Sequence, residues 1–173
     1  IPGDGVLISD GILTRRQDGE DLPLLPREQI ALRGEHNVAN ILSAVAIASR
    51  LGASDVAISE AIRNFEGVPH RLEVVGTFRD VTYVNDSIAT TPERAIAGLR
   101  SFNAPIVLLL GGRDKHLPLR ELAELAVERC RTIITFGESG DLFASTMIKA
   151  RDATTPLVDR VEDVSSAVNR AAK

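Results

Sequence analysis

The sequence has 173 residues, 44% of them apolar and 25% charged, a length and balance expected of one globular domain or two small ones. Its net charge is -4 with both signs interspersed, and aromatic residues make up 3%, which argues against a basic nucleic-acid surface or a stacking platform for single strands. No apolar run approaches the ~18 residues of a membrane helix, the amino end carries no basic-then-apolar leader, and the single cysteine excludes a disulfide framework or a cysteine-built zinc site, so a cytoplasmic protein without nucleic-acid or membrane partners is expected.

Taken in chain order, Val6-Leu7-Ile8 and Ile12-Leu13-Thr14 read as short strands around the turn at Ser9-Asp10-Gly11. Residues 22–26, with their prolines, read as extended, and Ile30-Ala31-Leu32 as another short strand. A long helix is predicted from His36, because Val38, Ile41, Leu42, Val45 and Ala48 fall on one face. Gly52 ends it. Ser54 caps a second helix whose apolar stripe is Ile58, Ala61, Ile62 and Phe65.

After Gly67-Val68-Pro69 the rhythm changes. Residues 72–78 and 81–84 form a predicted hairpin around Arg79-Asp80. Residues 92–101 follow as a helix, with Thr91 as its cap and Pro92 in its first position. The unbroken apolar run at 106–110 predicts a strand buried on both faces. Leu119, Leu122, Ala123 and Ala126 mark the next helix, ending at a buried Cys130. Residues 132–136 read as strand, 141–150 as helix and 156–158 as strand, and Val161, Val164 and Val168 mark a last helix. This alternation predicts an α/β fold: a Rossmann-like, mainly parallel open sheet with helices on both faces, preceded by a smaller α/β part. The boundary is placed near Gly67, dividing the chain into 1–66 and 67–173. The sequence stops on a helix where such a sheet usually continues into a strand, so truncation there is expected.

Four polar segments could carry chemistry. In Gly34-Glu35-His36-Asn37-Val38-Ala39-Asn40, Asn37 and Asn40 project from one side of a helix's first turn, where free N–H groups and the helix dipole suit a nucleotide. Asn37 could equally be a capping residue. In Val68-Pro69-His70-Arg71-Leu72-Glu73, Arg71 offers a planar fork for phosphate or ribose oxygens and His70 could orient a neighbour; an ordinary surface pair is the alternative. Asn85-Asp86-Ser87-Ile88-Ala89-Thr90-Thr91 joins a strand end to a helix start, a place where ligands and anions bind in open α/β sheets. It carries more short polar side chains than capping requires. Leu110-Gly111-Gly112-Arg113-Asp114-Lys115-His116 follows the strongest strand: two glycines permit close approach, and Lys115 brings a mobile cation. The sequence lacks G-x-G-x-x-G and contains no Gly-Lys pair, so no phosphate loop is present. The histidines lack paired-ligand spacing, and Ser87 and Ser139 lack a nucleophile-elbow context.

Taken together and in order, Arg33-Gly34-Glu35-His36-Asn37-Val38-Ala39-Asn40, the Phe65 to Glu73 segment, Asn85-Asp86-Ser87-Ile88-Ala89-Thr90 and Leu110-Gly111-Gly112-Arg113-Asp114-Lys115 resemble the Mur ligase family. The wording of the third segment resembles the D-glutamate-adding members most. The resemblance is clear from about residue 30 to about residue 140. It implies that 1–66 is the tail of a central ATPase domain lacking its phosphate loop, and that 67–173 is most of a carboxyl-terminal Rossmann-like domain. It implies a reaction of peptidoglycan synthesis, and so of cell shape and division. ATP and Mg2+ convert the carboxylate of UDP-N-acetylmuramoyl-L-alanine into an acyl phosphate, and the amine of D-glutamate attacks it.

By the same resemblance, Asn37, Asn40, Arg71 and Asp86 serve the nucleotide, while His70 and Lys115 are the catalytic residues. Ser87, Thr90 and Lys115 bind D-glutamate. Many family members carry lysine at the position of Ile88, so a charge contact there is lost or supplied elsewhere. The magnesium ligands are expected outside this sequence, none within it, and the isolated chain is expected to be inactive. A folylpolyglutamate synthase-like ligase and a non-catalytic nucleotide- or partner-binding α/β module are the competing readings. The oligomeric state is left open.

Overall fold

Asp10 and Gly11 both have positive φ (49° and 75°), as do Asp18 and Gly19 (52° and 83°). Two such residues in succession make the tight turn whose twist matches that of antiparallel strands. The first turn joins β1 (Gly5–Ser9) to β2 (Ile12–Gln17), and the second joins β2 to β3 (Glu20–Pro26). The three strands form an antiparallel sheet in the order β1-β2-β3. The second turn, at Asp18-Gly19, is an Asp-Gly signal that the pattern reading passed over, so β2 runs three residues beyond Thr14. The computed structural model describes residues 3–152 and 156–172, divided into two compact units, Ile1–Asn85 and Asp86–Lys173.

In the first unit, α1 (Glu35–Arg50) and α2 (Asp55–Asn64) cover the meander. Leu13, Leu25, Ile30, Ile41, Val45 and Ile58 form the buried core. Gly52, at φ 86°, closes α1 with paired bonds from Ala53 N–H to the Ala48 carbonyl and from Gly52 N–H to the Ser49 carbonyl, both 3.1 Å. Ser54 accepts the Ala57 N–H at 3.3 Å and caps α2. Arg15 of β2 grips Asp55 of α2 through two bonds of 3.0 and 2.8 Å. Ile30-Ala31-Leu32 is not a strand: residues 27–29 form a 3-10 turn, and Ile30 is buried on the way into α1. Phe65 lies just past α2 and is exposed, so that helix buries a narrower stripe than its apolar residues suggested.

The same unit ends in a two-stranded hairpin, β4 (Glu73–Phe78) and β5 (Val81–Asn85). Its turn places Arg79 and Asp80 at φ 48° and 62°, the same tight geometry without glycine.

The second unit is parallel. β6 (Ile106–Gly111), β7 (Cys130–Phe136) and β8 (Leu157–Arg160) lie in the order β6-β7-β8. They are preceded and joined by α3 (Pro92–Leu99), α4 (Arg120–Arg129) and α5 (Gly140–Ala150), and followed by α6 (Val164–Ala171). α4 packs against α3 and α5, and α6 lies on β7 and β6. Ile133 joins the core made with Ile96, Leu99, Leu122, Ala126 and Met147. Ile134 points to the opposite face by the strand's period of two and is also fully buried. Helices therefore cover both faces, and the α/β expectation is met.

Two details differ from the pattern reading. The strand buried on both faces is β7, not the more apolar β6: among the described strands β6 lies at the sheet's edge, and Val107 is 40% exposed. In the last helix Asp163 is the cap, its carboxylate accepting the Ser166 N–H at 2.7 Å. Val161 consequently falls in the preceding loop, and Ala167 is buried rather than Val164 or Val168. Cys130 opens β7 as a buried residue, and desolvation pushes its thiol up to about 12.

Candidate functional site

Parallel strands end together, so the loops after β6, β7 and β8 meet at one edge of the sheet. They are knitted by bonds on both main and side chains. Gly111 packs directly under the Phe136 ring, leaving no room for a Cβ. Ser139 donates its N–H to the Gly112 carbonyl at 3.1 Å, and its hydroxyl accepts the Asp114 N–H at 2.6 Å. Arg113 pairs with Glu138 at 3.1 Å on the surface. The Asp114 carboxylate accepts the His116 N–H at 2.8 Å and faces its ring Nδ1 at 3.0 Å. Gly137 N–H donates to the Glu162 carbonyl, and Arg160 donates to the Gly137 carbonyl, both at 3.1 Å. Arg160 also reaches Asp141 at 3.1 Å; it passes so close to Gly140 that a Cβ there would lie 2.5 Å from its Nε. Lys115 is exposed in the same loop, and a lysine there is a mobile cation of the kind able to pair with a carboxylate or phosphate.

The polar turn at 86–91 precedes α3. It is folded by bonds from Ala89 N–H to the Asp86 carbonyl and from Thr90 N–H to the Ile88 carbonyl, both 2.9 Å. Asp86 is half-buried, and Ser87 and Thr90 are exposed. The Arg94 guanidinium approaches the Ile88 carbonyl at 3.5 Å, bringing a cation beside a position that itself has none. Thr91 occupies the cap position of α3, but its hydroxyl bonds no helix N–H. Instead, the Glu93 carboxyl is held below its usual range, first by its own backbone N–H and then by the Thr91 hydroxyl.

In the first unit, His70 clasps the open end of the β4–β5 hairpin. Glu73 and Asn85 face each other across that end. The His70 N–H donates to Glu73 at 2.7 Å, and its ring Nδ1 lies 2.8 Å from the Asn85 amide nitrogen. Both His70 and Leu72 have positive φ, 65° and 47°, a costly conformation for residues other than glycine. Arg71 between them is half-buried, and its N–H donates to the Val68 carbonyl at 3.1 Å. On α1, Asn37 is buried and donates to the Arg33 carbonyl at 2.7 Å. Asn40, one turn along, is exposed.

The structure thus brings Arg113, Asp114, Lys115 and His116 together with Ser139, a residue that sequence reasoning set aside because it lacked nucleophile context. The available signal was its place in the loop after a parallel strand. Among the described residues, no group of three or more His, Cys, Asp and Glu side chains converges as a metal site. No described helix is long and apolar enough to cross a membrane. A shallow depression of about 480 Å³ lies at the amino ends of β6 and β7, lined by Asn103, Pro105, Glu128 and Arg131 among others, away from the loop-bearing edge.

Residues 70–173 match the family described as "Mur ligase, glutamate ligase domain". A UDP-N-acetylmuramoylalanine–D-glutamate ligase of Salinibacter ruber is 43% identical over 141 residues, covering 82% of this chain and 31% of that protein. One of the same name from Latilactobacillus sakei is 35% identical over 170 residues, covering 98% and 37%. The chain therefore spans about a third of the length of these curated relatives. Among solved structures, Mycobacterium tuberculosis folylpolyglutamate synthase superposes with a TM-score of 0.70 at 16% identity, covering 96% of this chain and 39% of that one. MurF of Acinetobacter baumannii gives a TM-score of 0.65 at 18%, covering 96% and 36%. These two likenesses concern the fold. With the family's domain matched over more than half of its length, the chain belongs to the Mur ligase family.

Proposed function

We propose that this chain is part of a cytoplasmic ATP-dependent ligase that joins D-glutamate to UDP-N-acetylmuramoyl-L-alanine in peptidoglycan synthesis. The observation that carries the reading is the 43% identity to a protein named for that reaction. In this reading residues 1–66 belong to the ATP-binding domain and 67–173 to the domain that receives the amino acid. ATP phosphorylates the substrate carboxylate, and the D-glutamate amine displaces phosphate from the acyl carbon to leave an amide. Mg2+ would be held by residues other than those described here.

The chain's own side chains act by position and charge. Lys115 offsets the charge of an amino acid that carries two carboxylates, with Thr90 and Ser87 as hydrogen-bonding partners. This assignment is supported by topology: α3 precedes β6 through a short connection, and a helix packed on a parallel sheet runs opposite to the strand it feeds. The start of α3 and the end of β6 then fall at the same level. Asn37, Asn40, Arg71 and Asp86 serve the nucleotide. Asn40 is the more accessible of the two asparagines, since the Asn37 amide is committed to the Arg33 carbonyl. His70 holds the hairpin end and keeps Arg71 in place.

The test is phosphate release by the full-length ligase with UDP-N-acetylmuramoyl-L-alanine, ATP and D-glutamate, beside a folate substrate with L-glutamate. Release that requires D-glutamate supports the reading; release only with the folate pair replaces it. This chain alone is expected to show no turnover, and ATP-dependent product from it would contradict that expectation.

A further inference from the structure

Ser139 is a buried polar residue at the loop-bearing edge to which the proposed chemistry gives no task. It is 8% exposed, and it bonds the β6 loop twice: its N–H donates to the Gly112 carbonyl and its hydroxyl accepts the Asp114 N–H. One residue of the β7 loop thus fixes both sides of the turn that ends at Lys115. A lysine side chain is long and flexible, so what the protein can hold still is its base. The adjoining pair, Arg113 with Glu138, is exposed at 80% and 64% and contributes little by itself. The Gly111–Phe136 contact sets the approach of the two strand ends but does not reach the turn. The main-chain bond holds the Gly112 side of the turn, and the hydroxyl is the side-chain contact that holds its Asp114 side.

We infer that Ser139 is a positioning residue, whose hydroxyl sets the Gly112–Asp114 turn and thereby aims Lys115 at the acidic amino-acid substrate. It touches no substrate itself, and the inference rests on the role proposed for Lys115 above.

The isosteric pair Ser139→Thr and Ser139→Val tests it, because the two differ in the hydroxyl and not in volume. In this chain, amide hydrogen exchange at Asp114 is expected to quicken about tenfold in Ser139→Val and to stay near the native rate in Ser139→Thr, the loss being that of one hydrogen bond. Ile133 and Ile134 amides report that the sheet is intact. In the full-length ligase, Ser139→Val is expected to raise the KM for D-glutamate about tenfold and leave the KM for ATP unchanged, with Ser139→Thr restoring it. Equal Asp114 exchange in the two variants, or an equal KM for D-glutamate, overturns the inference. Lys115→Met separates this from the reading beneath it: if that change leaves the KM for D-glutamate unaltered, the role of Lys115 fails, and the Asp114 exchange still decides whether Ser139 holds the turn.

Discussion

The two three-stranded sheets contrast in where they put their loops. In the β1–β3 meander each strand pairs with the next through a two-residue turn, so successive connections alternate between opposite ends of the sheet. In β6–β8 every strand ends at the same edge, and each neighbour is reached through a helix. The first arrangement is fixed locally, by residues that tolerate positive φ. The second is fixed by burial across long sequence separations. Only the second collects several loops in one place, which is why Lys115, Asp114 and Ser139 can meet there.

Four experiments sharpen or break this contrast. The largest expected effect comes from emptying either core. Ile133→Ala in the parallel sheet and Leu13→Ala in the meander start from equal, complete burial, and each is expected to lower unfolding free energy by about 2–5 kcal/mol in chemical denaturation. A loss well below that range for one alone would mean that its surroundings collapse into the gap.

Next come the glycines, where the two sheets should fail for different reasons. Gly111→Ala forces a methyl into the Phe136 ring and is expected to cost about 1–3 kcal/mol by overpacking. Trimming the ring with Phe136→Leu should relieve part of that cost. Gly19→Ala has open space around it but a φ of 83°, so about 1 kcal/mol of backbone strain is expected, with no neighbour able to relieve it.

A smaller effect is expected at the α2 cap: Ser54→Ala removes the bond to the Ala57 N–H and should cost about 1 kcal/mol, with exchange quickening in the first turn of that helix.

The last test is one of pH. Folded Cys130 keeps its proton up to about 12, whereas an unpaired thiol loses it near 9.0. Between those values the folded state binds more protons than the unfolded one, so its contribution to stability is present below 9.0 and is lost as pH rises toward 12. Cys130→Ser should flatten that alkaline loss in thermal melts, and the native thiol should react slowly with alkylating reagents near neutral pH.

Much of this architecture was legible because local and global signals agree. The α1 stripe of Val38, Ile41 and Val45 is buried as its spacing requires. Gly52 and Ser54 sit where a helix must stop and another must start. The Arg79-Asp80 turn was found from its flanking strands. Less was legible where burial depends on partners far along the chain. The apolar run of β6 read as the most buried strand, yet β7 holds the centre, because position in a sheet is a matter of neighbours and not of composition. Ile30-Ala31-Leu32 has strand-like residues but pairs with none of the described strands. Of the candidate site, Lys115 and the glycines before it are proposed from the sequence on residue type alone. Ser139 could not be, because its significance lies in a bond to a residue 25 positions away.

Gly140 and Arg160 compete for one volume at this edge. The guanidinium stem occupies the volume that any side chain at position 140 would need, while its nitrogens tie down Gly137 and Asp141. The two positions are therefore coupled: a side chain at 140 must displace the Arg160 stem, and that displacement frees the bend that begins α5. A redesign of this rim for a different amino acid therefore has to treat both sites together.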